Sequence, residues 1–212
     1  MWRMIETFNL PVIMVAGFIA AASPGPATMA IAATSMAHGR KSGMAFAAGV
    51  NLGSLTWSVT AALGLSALML ANVWVFEAMR YFGALYLMYL AWKSAKSALG
   101  RDKAKAGKAA SGTLQATFLK GAMLHLTNPK PILFFSSLFA IGIPHGTPIS
   151  ALAVVILALF IQGIFIFQGF ALLFSVGGIA AGYQRLKRWF EGAFALAFGY
   201  AGFKLLTAKL FD

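Results

Sequence analysis

Lys130 stands between two prolines, in the run Asn128-Pro129-Lys130-Pro131, inside a strongly apolar stretch. A lysine near membrane depth costs about 2.5 to 3.5 kcal/mol on insertion scales, so it needs water, a partner or a short route to the surface. Either it lines a cavity and meets a solute carboxylate or a helix C-terminal carbonyl, or it snorkels. A second proline doublet, Ser23-Pro24-Gly25-Pro26, interrupts another apolar stretch 105 positions earlier. Proline removes a backbone donor and clashes with the carbonyl four residues back, which breaks a helix. In lipid the freed carbonyls also lose water, so such a break must face protein or a hydrated cavity. The new helix ends carry partial charges, positive at a start and negative at an end, suited to a polar solute. Ser23, Pro24, Gly25, Pro26, Asn128, Pro129 and Lys130 are therefore expected to bind one.

Other polar residues in the apolar stretches extend this list. His125 lies one turn before Pro129 and is a candidate proton carrier, against the plainer role of a hydrogen-bonded interface residue. Asn51 is flanked by Gly49 and Gly53, a spacing that permits close helix approach, and could bond between helices or face the solute. Gln162 and Gln168, six apart, do not share a helix face. Gln162, deeper in its span, is the expected site residue. Ser23, Ser54 and Ser58 have no evident paired His, and no Asp/Glu pair lies at depth, which argues against an intramembrane enzyme. Cys is absent, which removes thiolate metal ligands and a Cys nucleophile. Gly177-Gly178 follows no strand, so a phosphate loop is excluded. Neither a metal nor a cofactor is expected.

The surroundings of these residues set the class. Of 212 residues 60% are hydrophobic and 10% charged, whereas soluble domains carry about 25% charged residues. Six spans are read from hydropathy: Leu10 to Met36, Met44 to Ala71, Phe76 to Ala95, Phe118 to Ile143, Ile149 to Ala180 and Phe190 to Leu210. Leu10 to Ala22, with Ala20-Ala21-Ala22, resembles a cleavable leader. Only Arg3 against Glu6 precedes it, and the apolar run resumes beyond Pro26, so a spanning helix is expected instead. The net charge of +12 sits in short loops without interleaved aromatics, which argues against nucleic acid.

Basic residues also set orientation. Arg40, Lys41, Lys93, Lys96, Arg101, Lys103, Lys105, Lys108, Lys120, Arg185, Lys187 and Arg188 fall on one side, twelve against Arg3, Arg80 and Lys209 on the other. The richer side is expected in the cytoplasm, with both termini outside. Trp2 and Trp74 then sit at the outer interface, Trp92 and Trp189 at the inner. The Lys-, Ala- and Gly-rich linker 100–113 divides one transmembrane domain into halves 1–99 and 114–212. With three helices each, repeated halves must be inverted. Matched proline doublets support this, as do Arg80-Tyr81-Phe82-Gly83 and Arg188-Trp189-Phe190-Glu191-Gly192, expected to open the third and sixth helices. The fold expected is an all-α membrane protein of two inverted three-helix repeats, with the first and fourth helices broken at proline.

The Ser-Pro-Gly-Pro break, the following His38-Gly39-Arg40-Lys41-Ser42-Gly43 loop, the basic linker and the Asn128-Pro129-Lys130 turn together resemble the lysine exporter (LysE/RhtB) family of amino-acid efflux proteins, over the whole chain. The resemblance implies a secondary carrier that exports amino acids or related small metabolites across the bacterial cytoplasmic membrane, driven by proton exchange. Export direction comes from that resemblance alone. Family members often carry Asp or Asn after the Pro-Gly-Pro and an Asp in the fifth helix, where this chain has Ala27 and Gln162. Glu77 and Glu191 are expected at helix ends, so no carboxylate is expected at depth, which favours zwitterionic or weakly polar solutes over cationic ones. The alternatives are a channel or facilitator, and less favoured an enzyme. The partners expected are the solute and the bilayer, with no nucleic acid; homo-oligomerisation stays open.

Overall fold

A computed structural model describes residues 10–71, 73–100, 107–143, 147–176 and 179–207. They form α1 (Leu10–Ala22), α2 (Pro26–Ala71), α3 (Val73–Ala98), α4 (Leu114–Leu126), α5 (Pro129–Gly142), α6 (Ile149–Phe174) and α7 (Ile179–Thr207), with no strand among the described residues. This is an all-α membrane protein. The stretch Pro26–Gly64 and α6 are long and apolar enough to cross a bilayer. Large apolar side chains face outward, among them Phe165 at 75% exposure and Leu196 at 78%. Water would not tolerate such a surface, whereas lipid does.

Hydropathy and structure part company at several helix ends. The expected loop after Met36 shrinks to a single non-helical residue, Gly39, whose φ of 78° and ψ of 179° redirect α2. A side chain would resist that positive φ, and glycine does not. Ser35 and Gly43 then face each other so closely that a Cβ at Gly43 would overlap the Ser35 hydroxyl. Helix α7 starts at Ile179 rather than Phe190, and α3 at Val73 rather than Phe76. Arg80 to Gly83 and Arg188 to Gly192 therefore lie within helices and do not open them. The fifth span stops at Phe174, capped by Ser175, and not at Ala180. Hydropathy marks where lipid contact ends, but backbone hydrogen bonding continues through polar residues. Trp2, Arg3, Arg101, Lys103, Lys105, Gly177, Gly178 and Lys209 lie outside the described residues, as do the side chains of Trp74, Glu77, Arg80, Arg185 and Lys187.

The most extensive helix contacts pair α2 with α4, α3 with α7 and α2 with α6, and α1 packs on α6. Thus α1, before the first break, rests on α6, and α4, before the second, rests on α2. In lipid the hydrophobic effect does not draw helices together, so close backbone packing must. Between α2 and α4 a Cβ at Gly49 would overlap the Phe118 carbonyl oxygen, and one at Gly121 would overlap that of Phe46. Helix α5 carries no exposed large hydrophobic side chain among its described residues and lies within the bundle. At the second proline break Asn128 is buried, while Thr127 and Pro129 are exposed.

Candidate functional site

Each break is finished by its own polar residues. Helix α1 ends at Ala22, where the Ser23 hydroxyl donates to the Ala20 carbonyl at 2.9 Å. Pro26 opens α2, where its missing N–H costs nothing because first-turn donors lack helical partners anyway. Thr28 folds back: its hydroxyl accepts from the Gly25 N–H at 2.9 Å and lies 3.2 Å from the Gly25 carbonyl. At the second break Thr127 ends α4 and Asn128, in extended conformation, caps α5 by accepting from the Lys130 N–H at 3.0 Å. Pro129 and Pro131 fill the first turn of α5.

The Lys130 side chain then crosses from one break to the other. Its ammonium donates to the Ser23 carbonyl at 3.3 Å and to the Ser23 hydroxyl, joining segments 107 residues apart. Gly25 leaves room for it, since a Cβ there would stand 3.3 Å from Nζ. Lys130 does not snorkel; it ends on a helix break. Its partners are neutral oxygens at the negative end of α1, an arrangement that leaves positive charge for an anionic group.

Around this bridge lies an open-mouthed cavity of about 60 Å³. Ser23, Gly25, Pro26, Asn128, Lys130, Gln162 and His125 all line it. Gln162 also ties α6 to α1 by donating to the Met14 carbonyl at 2.9 Å. The apolar wall comes from Phe134, Phe135, Leu159 and Phe167. His125 is 6% exposed and neither ring nitrogen has a hydrogen-bond partner, Ser54 included, although Ser54 lines the same cavity.

Three expected site residues stand elsewhere. Pro24 and Pro129 shape the breaks without lining the cavity. Asn51, 3% exposed, sits between α2 and α6, its amide making a long 3.5 Å contact to the Phe160 carbonyl. Its carbonyl oxygen has no partner and occupies the space a Cβ at Gly163 would fill. Sequence reasoning missed Thr28, whose hydroxyl three places after Gly25 marks a helix-start turn, and the phenylalanine wall, which looks like any apolar span. It also misplaced Glu191. This carboxylate lies inside α7, 5% exposed, and accepts from the Ser97 hydroxyl at 3.0 Å. Setting the helix start at Phe190 had put it at an end. It is buried against α3, away from the cavity lining.

Against known proteins, the model of the LysE type translocator family matches residues 18–209. The chain is 28% identical over 193 residues to the threonine efflux protein of Escherichia coli K12, covering 90% of this chain and 94% of that protein. It is 34% identical over 191 residues to the leucine efflux protein of Enterobacter sp. strain 638, covering 89% and 88%. With an uncharacterized membrane protein of Pseudomonas aeruginosa, PA4757, the identity is 34% over 198 residues, 88% of this chain and 89% of the other. No solved structure matches.

Proposed function

Because this chain belongs to the LysE type translocator family, we propose that it is a secondary transporter exporting small neutral amino acids across the bacterial cytoplasmic membrane in exchange for protons. The observation that carries the reading is the Lys130–Ser23 bridge, which gathers both helix breaks around one cavity. The relatives named for threonine and leucine efflux support a neutral amino acid as the solute. In this reading Lys130 and the first turns of α2 and α5 receive the α-carboxylate, since helix starts favour anions. Ser23, Gly25, Pro26, Asn128 and Gln162 line the site, Pro24 and Pro129 hold the breaks open, and Asn51 acts at one remove by fixing α6 against α2. His125 is the proton carrier. The phenylalanine wall accepts the side chain.

The architecture we infer is six spans in two inverted repeats, residues 1–99 and 114–212, joined by a cytoplasmic linker, with both termini outside. The mutual packing of α1 on α6 and α4 on α2 supports the inverted pairing. Orientation rests on the basic asymmetry and has its own check, which the absence of native Cys keeps clean. Ala109→Cys is expected to label only from the cytoplasmic side of oriented vesicles and Pro148→Cys only from outside. Labelling of both from one side ends the six-span arrangement.

The transport reading is tested by a solute screen in proteoliposomes with and without an imposed pH gradient. Neutral amino acids are expected to accumulate when the lumen is the acidic side, and not after the gradient is collapsed. Uptake that only ever equilibrates would instead assign a facilitator.

A further inference from the structure

The imidazole of His125 is held firmly and left unpaired. A Cβ at Gly53 would stand 2.9 Å from His125 Cβ and 3.4 Å from Cδ2, so the glycine makes room for the ring. Phe167 packs at 6.0 Å with its plane at 67° to the imidazole. The Trp57 indole donates to the His125 carbonyl at 3.3 Å, fixing the last turn of α4 against α2. The ring is thus positioned by three residues, yet neither nitrogen finds a partner among the described residues. A neutral imidazole presents one N–H donor and one bare acceptor. Buried polar groups are normally paired, and one that is not, on a cavity wall, points to a partner supplied from the cavity.

The rest of the wall says which partner. Among the described residues Lys130 is the one charged side chain lining the cavity, and it suits a carboxylate. An amino acid brings an ammonium as well, and among the described residues the lining contains no Asp or Glu to receive it. Two acceptors nearby are committed, the Ser23 carbonyl to Lys130 Nζ and the Asn128 side-chain oxygen to the Lys130 N–H, while the Gln162 side chain spends its amide nitrogen on the Met14 carbonyl and keeps its oxygen as a second acceptor in the lining. The ring nitrogens of His125 are unpaired among the described residues and closed to solvent in this conformation, so the solute reaches one of them only as the cavity opens.

We propose that His125 is the ammonium-reading residue of the cavity, and that solute and proton occupy one and the same ring nitrogen in turn. This rests on the transport reading and adds to it how exchange is enforced. With the nitrogen bare, it accepts from the solute ammonium while Lys130 holds the carboxylate. On the acidic side that nitrogen takes a proton from water, becoming a donor with positive charge, and the ammonium is expelled. On the cytoplasmic side the proton returns to water and the nitrogen is bare again, so one proton enters for each solute that leaves. The neighbours recorded against the ring are uncharged, Gly53 on α2 and Phe167 on α6, and Lys130 on α5 is the charged group that acts on it. No carboxylate in the lining competes for the proton.

The test compares wild type, His125→Gln and His125→Leu in proteoliposomes, with radiolabelled L-leucine and L-threonine as probes and 2-hydroxyisocaproate as the analogue lacking the ammonium. In wild type, exchange of the amino acids at equal pH on both sides should weaken as that pH falls, while competition by the hydroxy acid should not follow the same curve. Gln keeps an acceptor that does not titrate, so His125→Gln should exchange with KM raised about tenfold, a flat pH profile and no accumulation under a pH gradient. His125→Leu should lose exchange of the amino acids by about a hundredfold or more, because it offers the ammonium nothing. Gradient-driven accumulation by His125→Gln, or wild-type exchange rates in His125→Leu, would overturn the proposal. A pH-independent KM in a wild-type protein that does transport would overturn it alone, whereas no transport by wild type at all would overturn the transport reading and this with it.

Discussion

Replacing Lys130 with Met is expected to weaken binding of a carboxylate-bearing solute about ten- to a hundredfold, and with it transport, while the protein still inserts and folds. Met keeps the length and the apolar stem but removes a charge whose hydrogen-bonded pairing in a dry site is worth about 1.5 to 3 kcal/mol. The substitution also releases the Ser23 carbonyl and hydroxyl at the first break. Those oxygens line the cavity and regain water, so the fold should suffer less than the affinity. Lys130→Arg separates the two effects: charge is kept, but the planar fork cannot reproduce the ammonium's approach beside Gly25. It should retain part of the binding that Met loses. Solute-dependent thermal stabilisation in detergent, read alongside uptake, distinguishes a lost site from a lost fold. Unimpaired uptake by Lys130→Met would remove Lys130 from the site.

The largest expected effect on folding lies away from the cavity, where α2 crosses α4. A Cβ at Gly49 would overlap the Phe118 carbonyl and stand 2.8 Å from the Ala122 nitrogen. Backbone atoms of a packed helix cannot swing aside as a side chain can, so the helices would have to separate. Gly49→Leu should therefore cost about 3 kcal/mol or more, the upper end of overpacking penalties. Gly64→Ala is the control, since nothing lies within 4 Å of a Cβ there. Detergent-solubilised yield and melting temperature should fall sharply for the first and hardly change for the second. Equal melting temperatures would contradict the close crossing.

What the sequence discloses is what depends on local chemistry. Proline inside an apolar stretch interrupts a helix, so both interruptions were legible, whereas the role of Asn128 as the cap of α5 was not. The burial problem of Lys130 was legible too, because a charge in an apolar stretch must be accounted for. The partner of Lys130 was not legible, for Ser23 is 107 residues away. Gly49 and Gly53 declared close approach without naming the helix approached; the structure shows α4, with Phe118 against one and His125 against the other. Asn51, equally suited by sequence to the solute or to a neighbouring helix, lies against α6, a distinction only tertiary packing can make. Glu191 was misplaced because hydropathy cannot see a helix continuing through a charged stretch.

The claim that the cavity between the two breaks is where the amino acid binds has a direct measurement. Ser54→Cys puts the only thiol of the chain on the cavity wall with almost no change of volume. Its rate of modification by a small thiol-specific reagent should fall when L-leucine or L-threonine is present at saturation, and the modified protein should no longer exchange either. A modification rate indifferent to both amino acids, in a protein that still transports them after the thiol is blocked, would place their path elsewhere.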